Sequence, residues 1–470
     1  MGVNFSELDF GPLDSNDDAN ISEYFVKNTD ELNLLIDKKK FFVFGAKGIG
    51  KTAIKKYITE TRAKNNQPVI VFDNNNIINI SELSNISNAE LRNRFASFFV
   101  AIILNHLINT EMISEDDKKE IRKLEDNIPL LKKLIKPLNI KTEFFEYPLK
   151  ELFSDGKKRI GSSIYDRKVV DCITNAIGEK DIWVLIDDVD TIFDTDDTSI
   201  IDKCIENLIY AVSDLNIQIF KGKVNIILFL KFEVWDRIYK KSTELDKEST
   251  YFLTIRWTNE HLTKLLSERI KFATKMNDEK PIWWYWGLIC KDSKKSEVEL
   301  IHNYLLERVI NGPRDLLLIV GLTQQYTKSN GLSHLEIDFI KQIEFEYGKE
   351  KLIHIARNYQ NTYPEIENVI ERLFRDKLEM YSNGDLQKII SDNLLTDTRA
   401  REAFKSLSWV RPLTSYKFIE LLYKVGFIGY FDSGYKKFMY SMEKSNANCD
   451  FSKVQLMVHK AFHKYLNLQH

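Results

Sequence analysis

The chain has 470 residues, 43% of them hydrophobic, with 67 Lys and Arg against 69 Asp and Glu for a formal charge of −2. This length is too great for one core and fits a few domains of about 150 residues each. The balanced charge excludes a polycation that coats nucleic acid over its whole surface, so any such contact must be a local patch. With only nine prolines, low-complexity disorder is excluded for most of the length. Cys172, Cys204, Cys290 and Cys449 are widely spaced without a CxxC pair, which argues against a disulfide framework or zinc ribbon and for reduced thiols. Met1 to Asn20 is acidic and lacks the pattern of a secretory signal, and no apolar run approaches 18 residues. The expected location is cytoplasmic, with no membrane partner.

After a polar leader, Lys40 to Phe44 is an apolar run ending in glycine, and Thr52 to Thr61 is helix-compatible: strand, turn, helix. Val69 to Asp73 predicts a second buried strand, closed by Asn74 to Asn76. Asn88 to Leu107 reads as a largely buried helix, and Ser114 to Lys136 as a solvated one. Ile182 to Ile186, Val224 to Leu230 and Tyr251 to Ile255 are further apolar runs. Strands alternating with helices predict a parallel sheet covered on both faces. From Asn259 onward the pattern turns helical, as in His261, Leu262, Leu265, Leu266 and Ile270. Near the end, Ser415 to Val425 predicts a helix stopped by Gly426. Phe427 to Phe431, a turn at Asp432 to Gly434, and Tyr435 to Ser441 then read as a hairpin, and helix plus hairpin resembles a winged helix. The expected domains are a polar leader (1–35), an α/β core (36–258) with a helical insertion around 81–159, a helical lid (259–330), a helical connector (331–395) and a winged-helix-like domain (396–470).

Gly45-Ala46-Lys47-Gly48-Ile49-Gly50-Lys51-Thr52 fits GxxxxGK[ST] between the first predicted strand and helix, the context this motif requires. Glycines let backbone N–H groups turn inward around phosphate oxygens, and the start of the helix adds partial positive charge. ATP and Mg²⁺ are therefore the expected ligands, with Lys51 reaching the β- and γ-phosphates and the Thr52 hydroxyl on the metal. Ile182 to Asp188 is an apolar strand carrying two carboxylates at its carboxyl end, the end at which open α/β sheets bind ligands. Asp187 is expected to hold Mg²⁺, and Asp188 to orient or deprotonate the attacking water. Aspartate is one methylene shorter than the glutamate usual in this role and reaches the water less readily, which leaves slow hydrolysis, or none, open beside the hydrolysing reading. Asp190 reads as a cap or solvated loop residue. Asp194, Asp196 and Asp197 lack the glycine and glutamate of a calcium loop and read as surface.

On these residues the chain resembles P-loop ATPases of the AAA+ and STAND type. Ile186-Asp187-Asp188-Val189-Asp190 is similar to the DD-x-D Walker B motif of STAND and KAP-like ATPases. The layout resembles a bacterial P-loop ATPase family sometimes found near defence genes, through Asp9-Phe10-Gly11, Lys47 to Thr52, Trp183 to Asp190, Gly312-Pro313-Arg314-Asp315-Leu316 and Val458-His459-Lys460-Ala461-Phe462. The resemblance implies that Val224 to Leu230 lies between the two Walker strands, with Lys231 at the place of a γ-phosphate sensor. It also implies that Arg314 is a lid arginine reaching over the nucleotide, work that suits a planar, permanently charged guanidinium. Arg237 and Arg269 are weak candidates for an arginine finger.

The function these readings favour is an ATP-binding, ATP-hydrolysing switch that controls self-association or a separate effector protein. The resemblance sets it in bacterial antiphage defence. The alternatives are a DNA-associated motor or loader gripping duplex through the C-terminal domain and its Tyr435-Lys436-Lys437-Phe438 wing, and a scaffold that holds ATP without turnover. Trp283 to Trp286 read as lid core. His459 and His463, four apart on an expected amphipathic helix, do not with Cys449 make a persuasive zinc set.

Overall fold

The computed structural model describes residues 3–27, 30–72, 86–110, 112–117, 119, 167–189, 197–242, 245–276, 278–292, 294–310, 312–360, 362–396, 407–410, 412–441, 451 and 454–470. Most of the expected insertion, together with Asp190, Asp194, Asp196 and Cys449, lies outside them. The chain divides into two units, an α/β unit of Lys27–Ala46 and Lys51–Ile255, and a helical unit of Met1–Val26, Lys47–Gly50 and Arg256–His470.

The α/β unit is built on strands β1 (Phe42–Gly45), β2 (Val69–Phe72), β3 (Ile182–Ile186), β4 (Val224–Lys231) and β5 (Phe252–Thr254). All pairings are parallel, and the order is β2-β3-β4-β1-β5. Helix α1 (Asp30–Ile36) precedes β1, and α2 (Lys51–Lys64), α3 (Asn88–Asn109), α4 (Arg167–Ile177), α5 (Thr198–Asp214) and α6 (Phe232–Lys241) lie between the strands. Every residue of β3 is buried, as are all of β4 before Lys231, which is why these strands stand out as unbroken apolar runs. Each such aliphatic side chain contributes about 1.5–3 kcal/mol relative to exposure. Where β1 does not reach β4, the Asn216 side chain stands in for it, donating to the Ile226 carbonyl and accepting the Ile226 N–H, both at 2.9 Å. α3 starts at a Ser87 cap and is buried along most of its length, as its apolar run predicts.

The helical unit contains α7 (Asn259–Ala273), α8 (Ile282–Ile289), α9 (Lys295–Leu306), α10 (Pro313–Ser329), α11 (Ile337–Tyr359), α12 (Ile366–Phe374), α13 (Asn383–Ile390) and α14 (Ser415–Lys424). Its antiparallel sheet runs β6-β9-β7-β8, from β6 (Met380–Ser382), β7 (Ile428–Asp432), β8 (Lys437–Met439) and β9 (Gln455–Val458). α14, Gly426 at φ +80° and the β7–β8 hairpin follow the helix-then-hairpin reading. The tail does not: Gln455–Val458 is a strand inserted between β6 and β7, and His459 caps a 3-10 turn instead of sitting on an amphipathic helix. Within the leader, Arg269 donates to the Phe10 carbonyl and, at 3.3 Å, to Asp18, with its guanidinium 4.4 Å from the Tyr24 ring centre. Buried there, Arg269 is unsuited to act as a finger toward a neighbour. Trp286 and Tyr285 are buried in the helical core, whereas Trp283 is 36% exposed. Among the described residues, no helix is long and apolar enough to cross a membrane.

Candidate functional site

The glycine loop leaves β1 at Gly45 and enters α2 at Lys51. Gly48 and Gly50 have φ of +86° and +103°, conformations that an L side chain adopts only with strain. Lys51 is buried, and its Nζ donates to the carbonyls of Gly45 at 2.8 Å and Ala46 at 3.1 Å. The ammonium therefore lies against the loop it belongs to.

One residue further on, Thr52 Oγ1 donates to Asp187 Oδ2 at 2.8 Å. Asp187 follows β3 and is buried, with Lys55 Nζ 3.6 Å from the same oxygen. Neighbouring oxygens around an octahedral magnesium with bonds of about 2.1 Å stand about 3 Å apart. The hydroxyl and carboxylate thus have both the hard-oxygen chemistry and the spacing to hold Mg²⁺. Asp187 Oδ1 accepts the Asp188 backbone N–H at 2.9 Å, and Asp188 has φ +48°. Short polar side chains tolerate this left-handed region better than most, yet it still carries backbone strain.

Lys231 ends β4 and is paired in register with Gly45. The expected strand between the two Walker strands is thereby present, and Lys231 stands beside the first glycine of the loop. It caps α6 without a side-chain cap bond.

The loop tip, Lys47–Gly50, belongs with the helical unit. Trp257 Nε1 donates to the Ile49 carbonyl at 2.7 Å. Gly312, at φ +96°, lets the chain turn against this indole, because a Cβ there would be 3.1 Å from Trp257 Cδ1. α10 begins at once with Pro313. The Arg314 stem lies over Gly48, whose added Cβ would be 3.2 Å from both Cβ and Cδ of Arg314. Arg314 Nη2 is 3.6 Å from Asp14 Oδ2. Asp315 fixes this first turn: its Oδ1 accepts Lys351 Nζ from α11 at 2.5 Å, and its Oδ2 accepts the Ile310 N–H at 3.2 Å.

The structure therefore brings Lys51, Thr52, Asp187 and Asp188 together, places Lys231 beside Gly45, and lays Arg314 on Gly48. Asp197 caps α5, accepting the N–H groups of Ser199 and Ile200. Arg237 is held by Asp202 at 2.8 Å. Sequence reasoning missed Lys55, Trp257, Asp14 and Lys351. Lys55 was open to detection, since it follows Lys51 by one helical turn on the same face. The other three become neighbours of the loop (Trp257), of Arg314 (Asp14) and of Asp315 (Lys351) only through long-range contacts. Among the described residues, no group of three or more His, Cys, Asp or Glu could hold a metal.

No family model matches the chain. It is 22% identical, over 96% of its length, to an Escherichia coli K12 protein of 80.3 kDa named for transposon gamma-delta, and it spans 66% of that protein. Solved structures similar to it include ORC2 of Aeropyrum pernix with ADPNP and ADP (TM-score 0.36, 11% identity, 96% of this chain and 97% of that one). Another is a RuvB variant of Thermotoga maritima (TM-score 0.33, 10% identity, 98% and 99% covered). The α/β P-loop core itself is established by the parallel strand order and the loop geometry.

Proposed function

We propose that the protein is an AAA+-type P-loop ATPase that works as a nucleotide-dependent switch. The observation that carries this reading is the contact of Thr52 with Asp187 at the carboxyl ends of β1 and β3, beside the buried Lys51. Backbone amides from Gly45 to Thr52 cradle the phosphates, and Lys51 moves from the loop carbonyls to the β- and γ-phosphate oxygens. Thr52 and Asp187 would hold Mg²⁺, which when bound would supply charge neutralisation for those phosphates. Asp188 orients the attacking water or takes its proton. Lys231 and Arg314 read the γ-phosphate, and Arg314 exchanges Asp14 for it. Loss of that phosphate on hydrolysis then changes how α10 is held, as in other phosphate-gated switches. The output is a change in self-association or in the binding of an effector protein. The setting implied by the sequence resemblance is cytoplasmic antiphage defence in a bacterium.

The decisive experiment combines ATP calorimetry on wild type and Lys51→Ala with particle-mass measurements in ADP, in a non-hydrolysable ATP analogue and without nucleotide. Binding that Lys51→Ala abolishes, with a mass that differs between ADP and analogue, is expected. Absence of ATP binding by wild type would sink the reading. ADP release from wild type at the rate of Asp188→Ala would leave a scaffold that holds ATP without turnover.

A DNA-associated motor is a second reading. It is favoured by the exposed Tyr435, Lys436 and Lys437 at the β7–β8 hairpin and by the transposon name of the relative. Duplex affinity that falls steeply with salt and is lost in Lys436→Glu with Lys437→Glu is its signature; salt-insensitive or absent binding rejects it.

A further inference from the structure

The α/β unit has a cavity of about 690 Å³ at the end of the sheet opposite the glycine loop. Four loops form it, and each precedes a strand: Lys38 before β1, Asn65 to Gln67 before β2, Glu179 to Asp181 before β3, and Lys221 to Lys223 before β4. Because the strands are parallel, all four loops gather at the amino ends, while the glycine loop leaves the carboxyl end of β1. At about 3.3 Å per residue, the eight residues of β4 span roughly 25 Å between the two ends. The two regions are separate sites.

The cavity is rich in donors. Four lysines line it against two carboxylates, alongside the side-chain amides of Asn65, Asn66 and Gln67. Asp181 is already engaged: it receives Lys38 Nζ and Arg62 Nη2, each at 2.6 Å, and Trp183 Nε1 at 2.9 Å. Burial alone would raise its pKa, but these hydrogen bonds outweigh burial and bring it to about 2. It serves as a fixed floor that organises Lys38. Lys223 donates to the Gly178 carbonyl at 2.5 Å. Among the described residues, the exposed Lys180 and Lys221 have no carboxylate partner, so their ammonium groups remain for a ligand. Lys38, Asn66 and Lys221 have φ of +57°, +51° and +47°, the left-handed turn in which helices commonly end, closed here by the Lys39 N–H on the Leu34 carbonyl, the Gln67 N–H on the Arg62 carbonyl and the Gly222 N–H on the Asn216 carbonyl.

We propose that this cavity is an anion site for a small ligand bearing two or more phosphate groups, distinct from the glycine loop. Ammonium groups and amides converging from four loops match several phosphate oxygens at once. The volume exceeds what a single phosphate fills and lies in the range of small-ligand pockets.

Titrating inorganic triphosphate into the full chain carrying Lys51→Ala isolates the cavity from the glycine loop. One saturable site is expected, weakened at least tenfold when Lys180→Glu and Lys221→Glu are added, with the melting temperature unchanged. Lys180→Gln with Lys221→Gln provides a milder pair and should weaken binding several-fold. Absence of saturable binding in the Lys51→Ala chain, or equal affinity in the chains carrying both neutralised lysines, overturns the proposal. Binding of duplex DNA but not triphosphate also rejects it. ATP binding by wild type, measured separately, tests the glycine loop alone, so the two readings fail independently.

Discussion

Thr52 Oγ1 and Asp187 Oδ2, 2.8 Å apart, join the start of α2 to the end of β3, two points separated by 135 residues of chain. The hydroxyl donates a hydrogen bond to a carboxylate that is also 3.6 Å from Lys55 Nζ. Under the proposed function, replacing either oxygen would remove a magnesium ligand while leaving the loop glycines in place. Thr52→Val and Asp187→Asn should each lose about 1.5–3 kcal/mol of Mg²⁺-dependent ATP affinity, roughly ten- to a hundredfold. Calorimetry with magnesium and with a chelator checks this: the variants should match wild type in chelator, and a uniform loss under both conditions would refute a metal role.

Asp188 presents a trade-off between strain and chemistry. At φ +48°, a glycine would sit more easily than an aspartate. Asp188→Gly should therefore hold or raise the melting temperature while abolishing ADP release and sparing ATP binding. A less stable variant with normal turnover would contradict both halves of the argument.

Asp315 and Lys351 form a buried ion pair behind Arg314, exposed by only 2% and 1%. Removing one partner leaves an uncompensated buried charge, so Lys351→Met should cost about 3–5 kcal/mol in denaturant unfolding. Adding Asp315→Leu should recover much of that loss. If the double variant is no better than the single one, the pair is not the source of the cost.

His459 gives the stability an acid limb. It is fully enclosed, and burial lowers its pKa from 6.5 to about 3, with His463, Lys351, Arg308 and Lys460 adding to the effect. The unfolded chain therefore binds this proton more readily than the folded one between pH 6.5 and 3. Stability is complete above the unfolded value and falls as pH drops through that window. The loss amounts to about 2 kcal/mol at pH 5. His459→Asn keeps a side-chain acceptor for the Ala461 N–H, which His459 Nδ1 now accepts at 3.2 Å. Unfolding followed from pH 7 to pH 5 should show a flatter slope in this variant. An unchanged slope assigns the acid limb to other groups.

Local pattern alone determined much of the core. The strands of the parallel sheet read within two residues of their actual bounds; β3 and β4, buried on both faces, are continuous apolar runs, whereas the edge strands β2 and β5 are only partly buried and Val71 of the expected buried strand is exposed. Lys51, Thr52, Asp187 and Asp188 were legible because loop chemistry demands particular residues at fixed spacing. Tertiary structure alone decided the partners. It placed β4 between β1 and β3, which set Lys231 beside Gly45, and it put β9 between β6 and β7, directly ahead of His459, which caps a 3-10 turn where an amphipathic helix is expected. Trp257 on Ile49, Asp14 near Arg314 and Lys351 under Asp315 follow the same rule. Periodicity records which side chains leave water; it carries no register between segments hundreds of residues apart. That register comes from closing the whole core at once, which also gathers lysines from three distant loops, and amides from a fourth, around one cavity.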